Sequence, residues 1–164
     1  MNTGINLSLP EITTFPETRL VGMHSTMSFA QNTTPLLWQT FMPRRKEVPA
    51  VDANLFSVQL YPQGFFEQFN PNAHFEKWAA VAVPNDAVVP QGMDALTLPG
   101  GLYAVFHYKG NPTNGSEVFR YILGEWLPQS GYTLDARPHF EILGERYKNN
   151  SDDSEEDIYI PICV

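Results

Sequence analysis

One arrangement of apolar and turn segments occurs twice along this chain, and that duplication constrains the fold more than any single motif. In the first half, residues 19–27 read as a strand, and Thr34-Pro35 opens a helix, proline suiting the first helical position. Leu36, Leu37, Thr40 and Phe41 follow at helical spacing until Pro43 ends the element. Across residues 55–61, Phe56, Val58 and Leu60 alternate with Ser57, Gln59 and Tyr61, the period of a strand with one buried face. Residues 75–83 form a further strand. A connector rich in Pro, Gly, Asn and Asp then runs from 84 to 99.

The pattern recurs after the connector. Residues 101–108 read as a strand, and Asn114 and Glu117 have capping-box spacing for a second helix. Val118, Phe119, Ile122, Leu123, Trp126 and Leu127 line one face of that helix, and Gly131 suits its C-terminal cap. Strands follow at 139–147 and 158–162. The helix-closing prolines Pro43 and Pro128 correspond, and Trp38 and Phe41 answer Leu123 and Trp126. The expected fold is therefore α+β: two pseudo-symmetric βαββ repeats forming an antiparallel sheet, with helices on one face and a ligand groove on the other. Residues 1–16 are expected to be an irregular N-terminal arm. Residues 17–164 are expected to be a single domain, with repeats at about 17–84 and 98–164.

Composition agrees with one packed domain. The 164 residues include 11 Phe, 7 Tyr and 3 Trp, and only 17% are charged, which excludes disordered, collagen-like and coiled-coil classes. The net charge is −8, and Asp152, Asp153, Glu155, Glu156 and Asp157 concentrate much of it in a run that reads as a solvated loop. Arg44-Arg45-Lys46 is the one basic cluster and reads as a complement to a helix end, so no direct nucleic-acid partner is expected. The single Cys163 excludes an internal disulfide and a cysteine-based zinc site. His24, His74, His107 and His139 are scattered without metal-ligand spacing, and neither a metal nor another cofactor is expected. No apolar run approaches the ~20 residues that span a bilayer, and no signal-peptide pattern opens the chain. A cytoplasmic location without a membrane partner is the expectation.

Four segments then occur in order: Leu98-Pro-Gly-Gly-Leu-Tyr-Ala-Val-Phe106, Glu125-Trp-Leu-Pro-Gln-Ser-Gly-Tyr132, Pro138-His-Phe-Glu141 and Asp157-Ile-Tyr-Ile-Pro-Ile162. With Arg19-Leu-Val-Gly22 and Leu36-Leu-Trp-Gln-Thr-Phe41 in the first half, they resemble the GyrI-like effector-binding domains. Such domains also serve as the ligand sensors of AraC-type and MerR-type multidrug transcription regulators. The resemblance implies two βαββ (SHS2-like) repeats around a groove for lipophilic, often cationic or aromatic, compounds. It also implies a groove glutamate, which aligns with Glu141. Because no helix-turn-helix is visible, the expectation is a stand-alone small-molecule-binding protein. Two alternatives carried by the resemblance are a hydrolase of strained cyclopropane-containing compounds and a protective protein whose partner is gyrase or a regulator. The sequence departs from the family in lacking an aromatic close after Glu141.

Strand alternation puts Phe140 and Ile142 on one face and His139, Glu141 and Leu143 on the other. If Phe140 and Ile142 pack beneath the helices, Glu141 points into the groove. A carboxylate there suits either a counter-ion for a cationic ligand or, in an enzyme, a general acid/base. The plain alternative is a sheet-edge carboxylate paired with Arg137 or Lys109. Tyr61, Tyr108, Trp38 and Trp126 are candidate groove aromatics for stacking or cation–π contact, although aromatics at helical spacing also build cores. His107 reads as a satisfied sheet histidine, and Ser116 lacks the context of a nucleophile elbow.

Overall fold

A computed structural model describes residues 5–164; residues 1–4, part of the expected arm, lie outside the described residues. In chain order the elements are β1 (Glu11–Phe15), β2 (Thr18–Met27), α1 (Thr34–Phe41) with a 3-10 extension Met42–Glu47, β3 (Leu55–Leu60), β4 (Phe75–Ala82), β5 (Asp94–Leu98) and β6 (Gly101–Lys109). There follow α2 (Gly115–Tyr121), a π-helical turn Ile122–Trp126, α3 (Leu127–Ser130), β7 (Thr133–Leu134), β8 (His139–Leu143) and β9 (Glu155–Cys163). The main sheet is antiparallel throughout, in the order β1-β6-β9-β8-β3-β4-β2-β5, and β7 pairs with β9 off this path. The order is symmetric about its centre. β2, α1, β3 and β4 of one repeat correspond to β6, α2, β8 and β9 of the other, and β5 and β1 take equivalent edges.

The sheet curls until its edges meet. Phe15 ends β1 at one edge and Thr18 begins β2 beside the other, a step of three residues that spans at most about 11 Å. Leu98 and Gly101 make the matching step between β5 and β6. The inside of the curl holds one core, with Leu20, Val58, Leu98, Tyr103 and Phe140 fully buried and Phe56 and Trp78 nearly so. Phe15 closes it, its ring 5.1 Å from Phe140 and 5.3 Å from Tyr159.

Register assigns the two faces. Ala79 pairs with Ser57, Ser57 with Glu141, Glu141 with Ile158 and Ile158 with Phe106, so these five side chains share a face. Leu37 and Phe41 of α1 pack on Val21, Ala79 and Val81 at one side of that face. Val118 and Ile122 pack on Ala104, Phe106, Ile158 and Ile160 at the other. Both helices therefore lie on one face, as expected. Glu141 lies on the same face, between them, which corrects its expected placement on the face opposite the helices. Phe140 and Ile142 point into the curl, where Phe140 is packed among Phe15, Tyr103 and Tyr159.

Other boundaries also differ from expectation. Glu11–Phe15, expected within an irregular arm, is a strand on β6, and the connector contains β5. The strand expected over 139–147 ends at Leu143. Asn114 occupies the N-cap without a side-chain bond, and the capping oxygen is supplied earlier, by Asn111 to the Thr113 amide. Gly131 ends the helical run with φ 84°, as its position predicts. The acidic run is a loop only in its first part. Glu155 and Asp157 project from β9 to hold both ring nitrogens of His107 at 2.8 Å, and those bonds raise the imidazole pKa.

Gly22 allows β2 to lie close against β4. A Cβ there would run into the Ala79 carbonyl oxygen and come within 2.6 Å of the Ala80 Cα. Gly22→Ala is expected to lower stability by the upper end of the about 1–3 kcal/mol typical of overpacking, seen as a fall in the thermal midpoint. Gly124→Ala, where a Cβ meets nothing within 4 Å, is expected to leave stability unchanged or raise it.

Candidate functional site

The strip between the helices is built by the two central strands. β3 contributes Ser57 and Gln59, and β8 contributes His139 and Glu141, with Ser57 opposite Glu141 and Gln59 opposite His139. β4 adds Lys77, which pairs with Gln59. All five are buried although every one is polar, which sets this strip apart from the apolar ground under each helix.

Glu141 is the centre of the strip. Its Oε1 accepts a hydrogen bond from Gln59 Nε2 at 3.1 Å and lies 4.0 Å from Lys77 Nζ. Lys77 is therefore its cation. Arg137 instead binds Asp135 at 2.8 Å and donates to the carbonyls of Leu102 and Ile162. Burial raises the Glu141 pKa, against the pull of Lys77 and Gln59, and burial lowers the pKa of Lys77. Glu156, on β9, is pushed up to about 8, first by burial and then by the charge of Glu141. Tyr147, after β8, is pushed up to about 12 by burial and by the same two carboxylates. His139 is held neutral, its pKa lowered to about 3 by burial.

Five buried side-chain polar atoms among the described residues have no hydrogen-bond partner within the protein, and three belong to this strip: Gln59 Oε1, His139 Nδ1 and Glu141 Oε2. Native proteins leave few such atoms unpaired, because each forfeits its hydration without return.

An aromatic strap covers one end of the strip. Between β3 and β4 the chain turns through Gly64, φ 76°, and brings Phe65, Phe66 and Phe69 over Tyr61 and Phe75. Tyr61 meets the His139 ring edge-on at 4.9 Å, and Phe66 lies 5.8 Å from it. Burial and the Glu141 charge both raise the Tyr61 pKa, so its phenol stays protonated. Phe69 and Phe29 present exposed edges outside the cluster.

The candidate residues divide accordingly. Glu141 and Tyr61 are brought together. Trp38 stands on α1 with its ring 6.1 Å from Phe41, and Trp126 stands edge-on to Phe106 at 5.1 Å, one on each flank of the strip. Tyr108 is built into the core under α2, its hydroxyl donating to the Asn111 carbonyl at 2.9 Å. Lys77, Gln59, Glu156 and the strap phenylalanines were not singled out from the sequence. A separate hollow of about 320 Å³ opens on the outer side of α1, lined by Met23, Ser25, Leu36, Leu37 and Asp94 among others.

Glu156 gives this electrostatic picture a test in stability. A carboxyl raised to about 8 from 4.5 keeps its proton in the folded state after the unfolded chain has lost it, so its contribution to stability falls as pH rises through that window. Glu156→Gln is expected to gain on the parent protein by a few degrees in thermal midpoint between pH 5 and 8. A difference that stays constant across that range would contradict the assignment.

Known proteins share this architecture. The family model for the GyrI-like small molecule binding domain matches residues 9–162. The transcriptional regulator BrlR of Pseudomonas aeruginosa is 31% identical over 148 residues, which are 90% of this chain and 53% of BrlR. A DNA gyrase inhibitor of Erwinia billingiae is 31% identical over 88 residues, 50% of this chain and 54% of that protein. The chain thus spans about half the length of the curated relatives it matches. Among solved structures, SAV2435 bound to tetraphenylphosphonium superimposes with a TM-score of 0.69 at 17% identity, covering 94% of this chain and 93% of that one. A family match over almost the whole chain, together with a buried polar strip between paired helices, places this chain in the GyrI-like small-molecule-binding domain family.

Proposed function

We propose that the strip between the helices takes a lipophilic cation, with Glu141 as its counter-ion and the Tyr61–Phe65–Phe66–Phe69 strap as its aromatic cover. The observation that carries this reading is a buried carboxylate with one oxygen unpartnered, on a strip capped at one end by aromatic rings packed edge to face. A carboxylate in a low-dielectric site attracts a cation far more strongly than one in water, and ring faces add cation–π attraction. Lys77 already stands 4.0 Å from Glu141, so a cation here meets a carboxylate arranged to hold positive charge. Tetraphenylphosphonium bound to SAV2435, which shares this fold, supports the same ligand class for this chain. With a net charge of −8, the domain acts in this reading on the small molecule and not on DNA directly.

Thermal unfolding against a panel of lipophilic cations and neutral aromatics tests the reading. A cation at a hundredfold excess over its Kd is expected to add ~2.7 kcal/mol of stability, and Glu141→Gln is expected to abolish the gain while remaining folded. Stabilisation by neutral aromatics alone, or an undiminished response in Glu141→Gln, would contradict it. A raised carboxyl is also suited to proton transfer, so each stabilising compound is to be followed for turnover.

A further inference from the structure

The polar atoms of the strip have a direction as well as a charge. Gln59 Nε2 donates to Glu141 Oε1, and Lys77 stands near that same oxygen. These two donors therefore face one carboxylate oxygen. Gln59 Oε1 and Glu141 Oε2 remain, both acceptors, both buried and both without a partner in the protein. Each is bonded to a carbon that also carries one end of the Gln59–Glu141 hydrogen bond, so both acceptors belong to the same linked pair of side chains. His139 Nδ1, opposite Gln59 on β8, is a third unpaired atom, and in the neutral ring it accepts when Nε2 carries the hydrogen.

We infer that the cation taken at this site carries N–H donors, as a protonated amine or amidinium joined to an aromatic body, and is preferred over a quaternary onium ion of the same shape. The inference rests on the cationic reading proposed above. A quaternary ion supplies charge but only C–H groups, so it leaves the Gln59 and Glu141 oxygens buried and unpaired. An ammonium or amidinium supplies the same charge and also pairs both oxygens. Sites built around buried hydrogen-bonding groups discriminate strongly against ligands that lack the matching group, because the penalty of the unpaired atom falls on the wrong ligand alone. The strap rings and Tyr61 then receive the aromatic body.

Titration calorimetry of the full chain at neutral pH, with 2-naphthylmethylammonium and (2-naphthylmethyl)trimethylammonium as matched probes, tests this. The amine is expected to bind at least about tenfold more tightly than the quaternary ion. Gln59→Met, checked for folding by its thermal midpoint, is expected to bring the two affinities close together. Equal affinities, or tighter binding of the quaternary ion by the parent protein, would overturn the inference and leave the cationic reading standing. A preference unchanged in Gln59→Met would overturn the role given to the Gln59 oxygen. Binding of neither probe would remove both the inference and the reading beneath it.

Discussion

The ladder between β3 and β8 is the joint on which this molecule depends. Among the described residues it is the only seam joining the two repeats at the centre of the sheet, because every other pairing lies within a repeat or at an edge strand. Its register, Leu55 against Leu143 through Gln59 against His139, decides which residues face the helices. A shift of β8 by one residue would turn His139 and Glu141 into the curl and bring Phe140 out between the helices, and a shift of β3 would do the same to Ser57, Gln59 and Val58. The fully buried Val58 and Phe140, packed inside the curl, prevent that shift. Assembly of the core and assembly of the site are thus one event.

Five polar or charged side chains under low exposure are a stability cost that the apolar packing inside the curl and under the helices must offset. A buried ion pair returns little of its desolvation penalty, and the Lys77–Glu141 contact at 4.0 Å is a loose one. Glu156 adds a second carboxyl to this neighbourhood, and burial first, then the charge of Glu141, holds its proton to an unusually high pH. A strip optimised for folding would carry valine or isoleucine at these positions, as β9 does with Ile158 and Ile160 under α2. The retained polarity is what supports the proposed ligand site between the helices.

Much of this was legible in the sequence. Helical spacing in residues 34–41 and 115–130, alternation in β3, and the opposite facing of Phe140 and Glu141 all appear as read. The face assigned to the helices did not, because alternation separates two faces without saying which one the helices cover. Edge strands β1 and β5 escaped since each pairs with the other repeat, far away in sequence, and Glu11–Phe15 has weak alternation of its own. Lys77 and Glu156 did leave a signal. Lys77 is in phase with the buried Phe75, Ala79 and Val81, and Glu156 is in phase with Ile158 and Ile160. Their charge, and for Glu156 its place in an acidic run, made a solvent-facing position the simpler reading. Phe65, Phe66 and Phe69 stood between two strands, where three phenylalanines in five residues are themselves a sign of a covered surface.

The crystal structure of the protein with the lipophilic cation that stabilises it most would test the central claim most directly. The account predicts the ligand over β3 and β8, its charged group against Glu141 and its rings among Tyr61, Phe65 and Phe66, with the strap displaced from its closed position. A ligand seated in the hollow beside α1, with Glu141 still engaged only by Gln59 and Lys77, would contradict it.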